Sequence, residues 1–433
     1  MRILNIILLI FISGTVCAQK LSLQECLKIA MENNYSLQIT KNESEMAENN
    51  HTRGNAGFLP TVDATARYSG SVRDNGSKDF SDIKSETNGQ VTNTGSASVN
   101  ASWDIFAGMK AHARYALLGE LKEVSDLKER YEIENLIANV VSEYYYLTQQ
   151  ERHRKNLEFF LDISRERLRI ASINKELGSA SRMEILQAQV DLNSDSSRLV
   201  RQKQHILSSK IRLKTLMGEL DRGDIVSDTA ITLFPELDYD ILMEKAINEN
   251  TQLLIAARQI NISENDLKVI RAGCFPYLRL SSGYSYNYNS YSKGGTKNSY
   301  NNGLDYGLTL GFNIFNGNNR RREIKNAKLA IQNKELSKQE TEQDIKAKLQ
   351  EIYVSYANNL SLVLVEEQNL TTAVENFKVA AERYKLGELA PIDLREAQNS
   401  LRDAEERLLD VQFNAKIDEV SLMVLSGNII EYL

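Results

Sequence analysis

The chain writes one structural unit twice, and this constrains its fold more than any other feature. "ELGSASRMEILQAQ" (176–189) and "KLGELAPIDLREAQ" (385–398) carry the same pattern 209 positions apart, Gly178 to Gly387. The same shift lays "WDIFAG" (103–108) on "FNIFNG" (312–317) and Gly218 on Gly427. Upstream the shift becomes 216: Asn34 meets Asn250, Ala56-Gly57 meets Ala272-Gly273, and Pro60 meets Pro276. The difference falls between Pro60 and Trp103, where one copy has a longer loop. A tandem duplication follows, with a first repeat over 19–218, a connector over 219–236 and a second repeat over 237–433.

Proline marks the boundaries, because it cannot sit inside a helix or a central strand. Pro60 and Pro276 occupy equivalent junctions, Pro235 lies in the connector, and Pro391 follows the second quoted turn. The proline-free stretches between are rich in Glu, Lys, Gln, Leu and Ala, which favour helix. Apolar residues recur there at coiled-coil spacing: Ile133, Ile137, Val140, Tyr144 and Leu147, then Ile345, Leu349, Ile352 and Tyr356. The run "VVSEYYYL" (140–147) is apolar around more than one seam, as a helix gripped on two sides requires.

In the first repeat the pattern predicts helices over about 34–57, 109–173 and 182–217; in the second, over about 250–273, 318–385 and 391–425. At 1.5 Å per residue the 109–173 helix spans ~98 Å, while 182–217 and 34–57 span ~54 Å and ~36 Å. Two short helices end to end match one long one, so each copy is expected to be a rod with a turn at one end. The other end alternates with period two. Strands are expected over about 61–72, 96–106, 278–288 and 304–315. Leu304, Tyr306, Leu308, Leu310, Phe312 and Ile314 share one face; Asp305, Gly307, Thr309, Gly311 and Asn313 share the other. About 9–11 residues suit a tilted membrane strand, with lipid outside and water inside. The Gly/Ser/Asn-rich stretches 74–94 and 289–303 read as surface loops. Trp103, Phe106, Phe312 and Phe315 sit where an interfacial aromatic belt belongs.

Four strands cannot close a membrane barrel, and an open edge in lipid leaves unpaired backbone groups at several kcal/mol each. The barrel must be shared with other copies in closed symmetry. Two copies supply eight strands and three supply twelve, so the strand count alone leaves the number of copies open.

The first residues, "MRILNIILLIFISGTVCAQK", have one cation at Arg2, an apolar stretch and small residues before Gln19. They predict a signal peptide over 1–18, with lipidation at Cys17 as the alternative. The chain is therefore expected to be exported. Its net charge of −6 offers nothing to attract nucleic acid. The four histidines are isolated from one another, so no metal or other cofactor is expected. No nucleophile, base and orienter converge at a recognisable spacing, so neither is an enzyme. Cys26 aligns with Leu242 in mid-rod and Cys274 lies beside Pro276, so a helix of ~35 Å separates them, too far for a disulfide.

The duplication, the "F-x-G" exits (Phe106 to Gly108, Phe315 to Gly317) and the "LG-x(5)-[DE]" turn resemble the TolC-type outer-membrane efflux channels. The resemblance covers nearly the whole mature chain, from "LSLQECLKIAMENN" to "LMVLSG". It implies a mainly helical fold with a transmembrane β part: a homotrimer with a twelve-stranded barrel above a periplasmic helical tunnel. It also implies a passive exit duct in the outer membrane, opened when a periplasmic adaptor and an inner-membrane pump dock. Matched residue by residue from the turn glycine, the family's aperture positions fall on Tyr384, Asp393 and Glu396, with Glu184 in the first copy. The tip turns, Leu177, Gly178 and Ser179 with Leu386, Gly387 and Glu388, would receive the adaptor. Where the family pattern has an arginine this chain has Leu389, so that salt bridge cannot form here. Asp393 also reads as a first-turn helix acid behind Pro391. The alternative function is a non-transporting scaffold or adhesin that spans the periplasm and displays its 74–94 and 289–303 loops.

Overall fold

The computed structural model describes residues 19–178, 181–221, 223–226, 230–233 and 237–432. The predicted signal peptide, Ser179 and Pro235 lie outside the described residues. Elements recur in the order that the duplication demands. In the first copy β1 (Gln19–Lys20) precedes α1 (Leu23–Asn33), α2 (Tyr35–Asn50), α3 (Arg53–Ala56), β2 (Thr61–Lys78) and β3 (Lys84–Ala107). Then come α4 (Lys110–Glu176), α5 (Arg182–Leu216) and β4 (Ile225–Val226), which pairs in parallel with β1. The second copy holds α6 (Tyr239–Glu249), α7 (Thr251–Ala272), β5 (Tyr277–Tyr291), β6 (Asn298–Gly311), α8 (Asn319–Lys385) and α9 (Pro391–Leu425). A 3-10 turn over Ile429–Tyr432 follows.

The repeat extends to single hydrogen bonds. Ser22 caps α1 and Asp238 caps α6. Asn34 Nδ2 donates to the Leu216 carbonyl at 2.9 Å, and Asn250 Nδ2 to that of Leu425 at 3.0 Å. The Tyr144 hydroxyl donates to the Leu21 carbonyl and the Tyr353 hydroxyl to that of Leu237, both at 3.2 Å. Each pair obeys the two shifts read from the sequence. Gly178 and Gly387 take φ of 76° and 78°, and Gly218 and Gly427 take 71° and 74°.

The chain divides into two compact units, and each draws on both copies. One comprises the described residues of Met1–Asn42, Leu127–Leu254 and Glu340–Leu433; the other comprises Glu43–Asp126 and Ile255–Gln339. In the first, the "VVSEYYYL" segment is gripped on several sides: Val140, Val141, Tyr144, Tyr145 and Leu147 are buried against Leu27, Leu37, Leu213 and Met217. A second cluster joins Ile345, Leu349 and Tyr356 to Leu242 and Leu253. Cys26 is buried and Cys274 exposed.

The second unit carries an antiparallel sheet in the order β2-β3-β5-β6. Its register sorts the faces. One row across the four strands is Ala64, Val99, Tyr284 and Leu304; the next is Asp63, Asn100, Gly283 and Asp305. Val62, Tyr68, Val72, Trp103, Leu280, Leu308 and Leu310 share the apolar side. Thr65, Arg67, Ser98, Ser285 and Asn287 share the polar one. β2 and β6 have an unpaired edge each.

Three element boundaries differ from expectation. The helix expected over 34–57 breaks at His51-Thr52, because the Thr52 hydroxyl caps α3 by accepting from the Asn55 amide at 3.2 Å. The stretches expected as loops are mostly strand, leaving 79–83 and 292–297 as connections. Their Ser, Asn and Thr residues occur on both faces of the ladder, as in Thr92-Asn93-Thr94 and Asn301-Asn302, so composition there does not separate strand from loop. β6 ends at Gly311, the partner of Tyr277, because β5 starts just after Pro276 and offers no further partner. Phe312 and Phe315 therefore lie beyond the strand.

Among the repeated glycines the surroundings differ sharply. A Cβ on Gly218 would collide with the Asn33 backbone, whereas one on Gly178 meets nothing within 4 Å. Gly178→Ala should cost only the left-handed backbone penalty, about 1–2 kcal/mol. Gly218→Ala should add overpacking of about 1–3 kcal/mol. Thermal unfolding of the two variants should rank them in that order; equal losses would contradict the packing at Gly218.

Candidate functional site at the repeated turn

The second turn is closed by its own backbone. The Glu388 amide donates to the Arg383 carbonyl at 2.9 Å and the Gly387 amide to that of Tyr384 at 3.0 Å. This is a helix stop that needs a left-handed glycine. Pro391 then opens α9, where its missing N–H is no loss. In the first copy Ser181 opens α5 by accepting from the Glu184 amide at 3.2 Å. Leu177, Leu386, Met183 and Ile392 are all at least 73 % exposed, an unusual amount of apolar surface for helix ends.

Tyr384 and Glu184 line one cavity of about 450 Å³, together with Arg167, Asp191, Met183 and Ile392. Burial raises the Tyr384 hydroxyl pKa, and the nearby Glu184 adds to the rise against the pull of Arg167. Asp393 and Glu396 are not in this cavity. Both are exposed, while Leu394, Ala397 and Leu401 on the same helix are buried. Leu389 packs with Tyr384 against Ala380, Leu394 and Ala397, so an apolar contact stands where the family's arginine would be.

Behind the turn lies a charged cluster that sequence reasoning missed. Arg395 on α9 grips Asp195 on α5 through two hydrogen bonds, at 2.7 and 3.2 Å. Ser164 on α4 donates to the same carboxylate at 2.6 Å. Arg167 on α4 donates to Asp191 at 3.2 Å and to the Pro391 carbonyl at 3.4 Å. Gln398 reaches from α9 to the Phe160 carbonyl at 3.3 Å. Asp195, Arg167 and Gln398 are all buried. The Arg167 Nε and Gln398 Oε1 have no partner among the described residues. Burial raises the Asp195 pKa, but the hydrogen bonds from Arg395 and Ser164 outweigh it and hold the carboxyl below its usual range. The cluster thus ties the second copy's return helix to both helices of the first copy's hairpin. One signal was available: Asp191 and Asp195 fall on the buried seam Ala188, Asp191, Asp195, Leu199, Gln202, Ile206, where apolar residues are normal.

Further along α9, Glu405 faces α4. Its Oε2 is buried without a hydrogen bond among the described residues. Burial pushes its carboxyl up to about 7, only partly opposed by Arg152. Nearby, His153 lies 3.7 Å from Glu406, and Gln149 donates to Asp410 at 2.8 Å.

A family profile described as "Outer membrane efflux protein" matches residues 26–219 and 242–428. The chain is 24 % identical over 268 residues to the pyoverdine export outer membrane protein OpmQ of Pseudomonas aeruginosa, covering 61 % of this chain and 56 % of OpmQ. It is 23 % identical over 202 residues to the outer membrane protein TolC of Vibrio cholerae, covering 44 % of each. The alignments thus span about half the length of these two relatives. The fold is similar to that of the Campylobacter jejuni CmeC outer membrane channel, with TM-score 0.77 and 18 % identity, covering 94 % of this chain and 85 % of that one. It is similar also to the Vibrio cholerae outer membrane protein VceC, with TM-score 0.75 and 16 % identity over 94 % and 96 %.

Glu405 makes the α4–α9 contact sensitive to pH. Its folded pKa lies above the unfolded value near 4.5, so the folded state holds the proton more tightly. That stabilisation is complete below about pH 4.5 and is lost as pH rises to about 7. Glu405→Gln should therefore match the wild-type melting temperature near pH 4.5 and exceed it at pH 7.5. A constant difference across that range would contradict the assignment.

Proposed function

Because the chain belongs to the outer membrane efflux protein family, we propose that it is the passive exit duct of a tripartite efflux or secretion system. Three copies complete a twelve-stranded barrel that continues into a helical tunnel in the periplasm. One observation carries this reading: a four-stranded sheet with an apolar face, a polar face and two unpaired edges. Lipid tolerates such a sheet only when other copies pair its edges. The polar face then lines a wet lumen, and its Ser, Thr, Asn and Gly rows suit passage of solutes over tight binding.

The repeated turns form the periplasmic end. Leu177, Gly178, Leu386, Gly387 and Glu388, with Ser179, are read as the adaptor's landing points, supported by the exposed Leu177 and Leu386 side chains. Tyr384, Glu184, Asp393 and Glu396 are read as aperture residues. The cluster of Arg395, Asp195, Arg167 and Asp191 supplies the internal restraint that Leu389 cannot. Moving α9 outward requires parting a buried pair, and a lone buried charge costs about 3–5 kcal/mol. Docking of an adaptor and an energised inner-membrane pump would provide that work. The duct itself catalyses nothing and uses no cofactor in this reading.

Three copies of Asp393 and Glu396 crowd carboxylates around one axis and favour cations. Purified protein in a planar bilayer should conduct and prefer cations in a salt gradient. Asp393→Ala with Glu396→Ala should shift the reversal potential towards zero. Unaltered selectivity would return both residues to a structural role, and absence of conductance would favour the scaffold function.

A further inference from the structure

A chain with more acids than bases keeps one zone free of acids. Residues 51–62, 105–119, 267–278 and 310–322, the four stretches where strands meet helices, contain no Asp or Glu. They contain Arg53, Lys110, Arg114, Lys268, Arg271 and Arg320 to Arg322. All but Arg320 are exposed.

The stretches touch one another, so the charges form one belt. The Phe58 and His112 rings lie 4.8 Å apart, and those of His51 and Tyr115 lie 4.3 Å apart. Gly108 abuts the Ala272 backbone, and Gly273 abuts the Arg320 guanidinium. The approach at Gly108 needs glycine, because a Cβ there would collide with the Ala272 backbone; at Gly273 it would meet only the movable end of the Arg320 side chain.

Within the belt is a cavity of about 230 Å³. Phe58, Trp103 and Phe106 line it on one side, Lys110, His112 and Arg114 on the other. Asp104 also borders it, but Arg279 already occupies that carboxylate with bonds of 2.6 and 3.2 Å. The Trp103 indole N–H donates to the Phe58 carbonyl at 2.9 Å, which fixes the ring at the rim. By register Trp103 belongs to the same sheet face as Leu280 and Val62. The cavity is therefore continuous with the apolar face.

We propose that this pocket, with Lys110 and Arg114 at its basic rim and Phe58, Trp103 and Phe106 at its aromatic wall, binds the phosphate-bearing headgroup of an anionic phospholipid in the periplasmic leaflet. It rests on the reading that the apolar sheet face meets lipid. Three features fit this occupant: cations for a phosphodiester, aromatic rings for the glycerol region, and an apolar face below for acyl chains. The belt would set the depth of the barrel and hold a shell of anionic lipid around it.

Trp103 is the single tryptophan of the chain, so its fluorescence reports this site alone. The protein, assembled in vesicles, is titrated with brominated phosphatidylglycerol or brominated phosphatidylcholine. Phosphatidylglycerol should quench Trp103 at least about fivefold more effectively at equal mole fraction, the scale expected of one membrane-surface cation. Lys110→Gln with Arg114→Gln should bring the two curves together, and circular dichroism should confirm that the variant is folded. If misfolding prevents that comparison, wild-type protein in 1 M salt replaces the variant, since screening should also bring the curves together. Equal quenching by both lipids in the wild type would overturn the headgroup site while leaving the lipid-facing sheet intact. A preference that survives the double substitution or high salt would overturn it too, as would its loss to millimolar inorganic phosphate, which would mark a free-anion site. Absence of quenching by either lipid would instead contradict the lipid-facing reading.

Discussion

An antiparallel sheet cannot end in hydrocarbon. Each unpaired N–H or C=O at its edge would forgo a hydrogen bond that water supplies elsewhere. Among the described residues this chain's antiparallel sheet has four strands, two free edges and one apolar face. Everything proposed about assembly descends from that mismatch. Closure by identical copies removes the edges, and the polar face then encloses a lumen. The helices must follow the same symmetry, because a short exit leads each strand pair into a 67-residue helix. The left-handed residues Gly108-Met109 and Gly317-Asn318 make that exit the same way in both copies.

Most of this was legible in the sequence because duplication multiplies weak signals. The long helices α4 and α8 begin and end within a few residues of expectation, since glycine stops and coiled-coil spacing each occur twice. Strand extents were less legible. Residues 74–94 look like a loop by composition, because Ser, Thr and Asn occupy both faces of the strands there. The pairing partner decides, and it lies far away in sequence. The end of β6 at Gly311 shows the converse: Phe312 to Phe315 keep the alternation, yet no neighbour remains to accept their hydrogen bonds.

The candidate site was half legible. Tyr384 and Glu184 line one cavity, and their reading as aperture residues is a proposal. Asp393 and Glu396 sit on the exposed face, where copies of the chain would bring them together. Arg395, lying between them, was overlooked because a charged residue in a charged stretch carries no signal. Only its partner, Asp195 on an otherwise apolar seam, betrays it. On the proposed reading, the buried Arg395–Asp195 pair is the restraint at this end, since Leu389 carries no charge. The raised carboxyl of Glu405 adds a second, pH-dependent contact, this one between α9 and α4.

The central claim is that one chain builds a third of a barrel. Native mass spectrometry of the protein extracted in a mild detergent tests it most directly. The account predicts a single species of three copies of the 49.0 kDa chain, each reduced by any leader removed on export, with no persistent monomer. A stable, folded monomer would contradict the shared barrel. A dimer would keep the edge argument but contradict the twelve-stranded assembly.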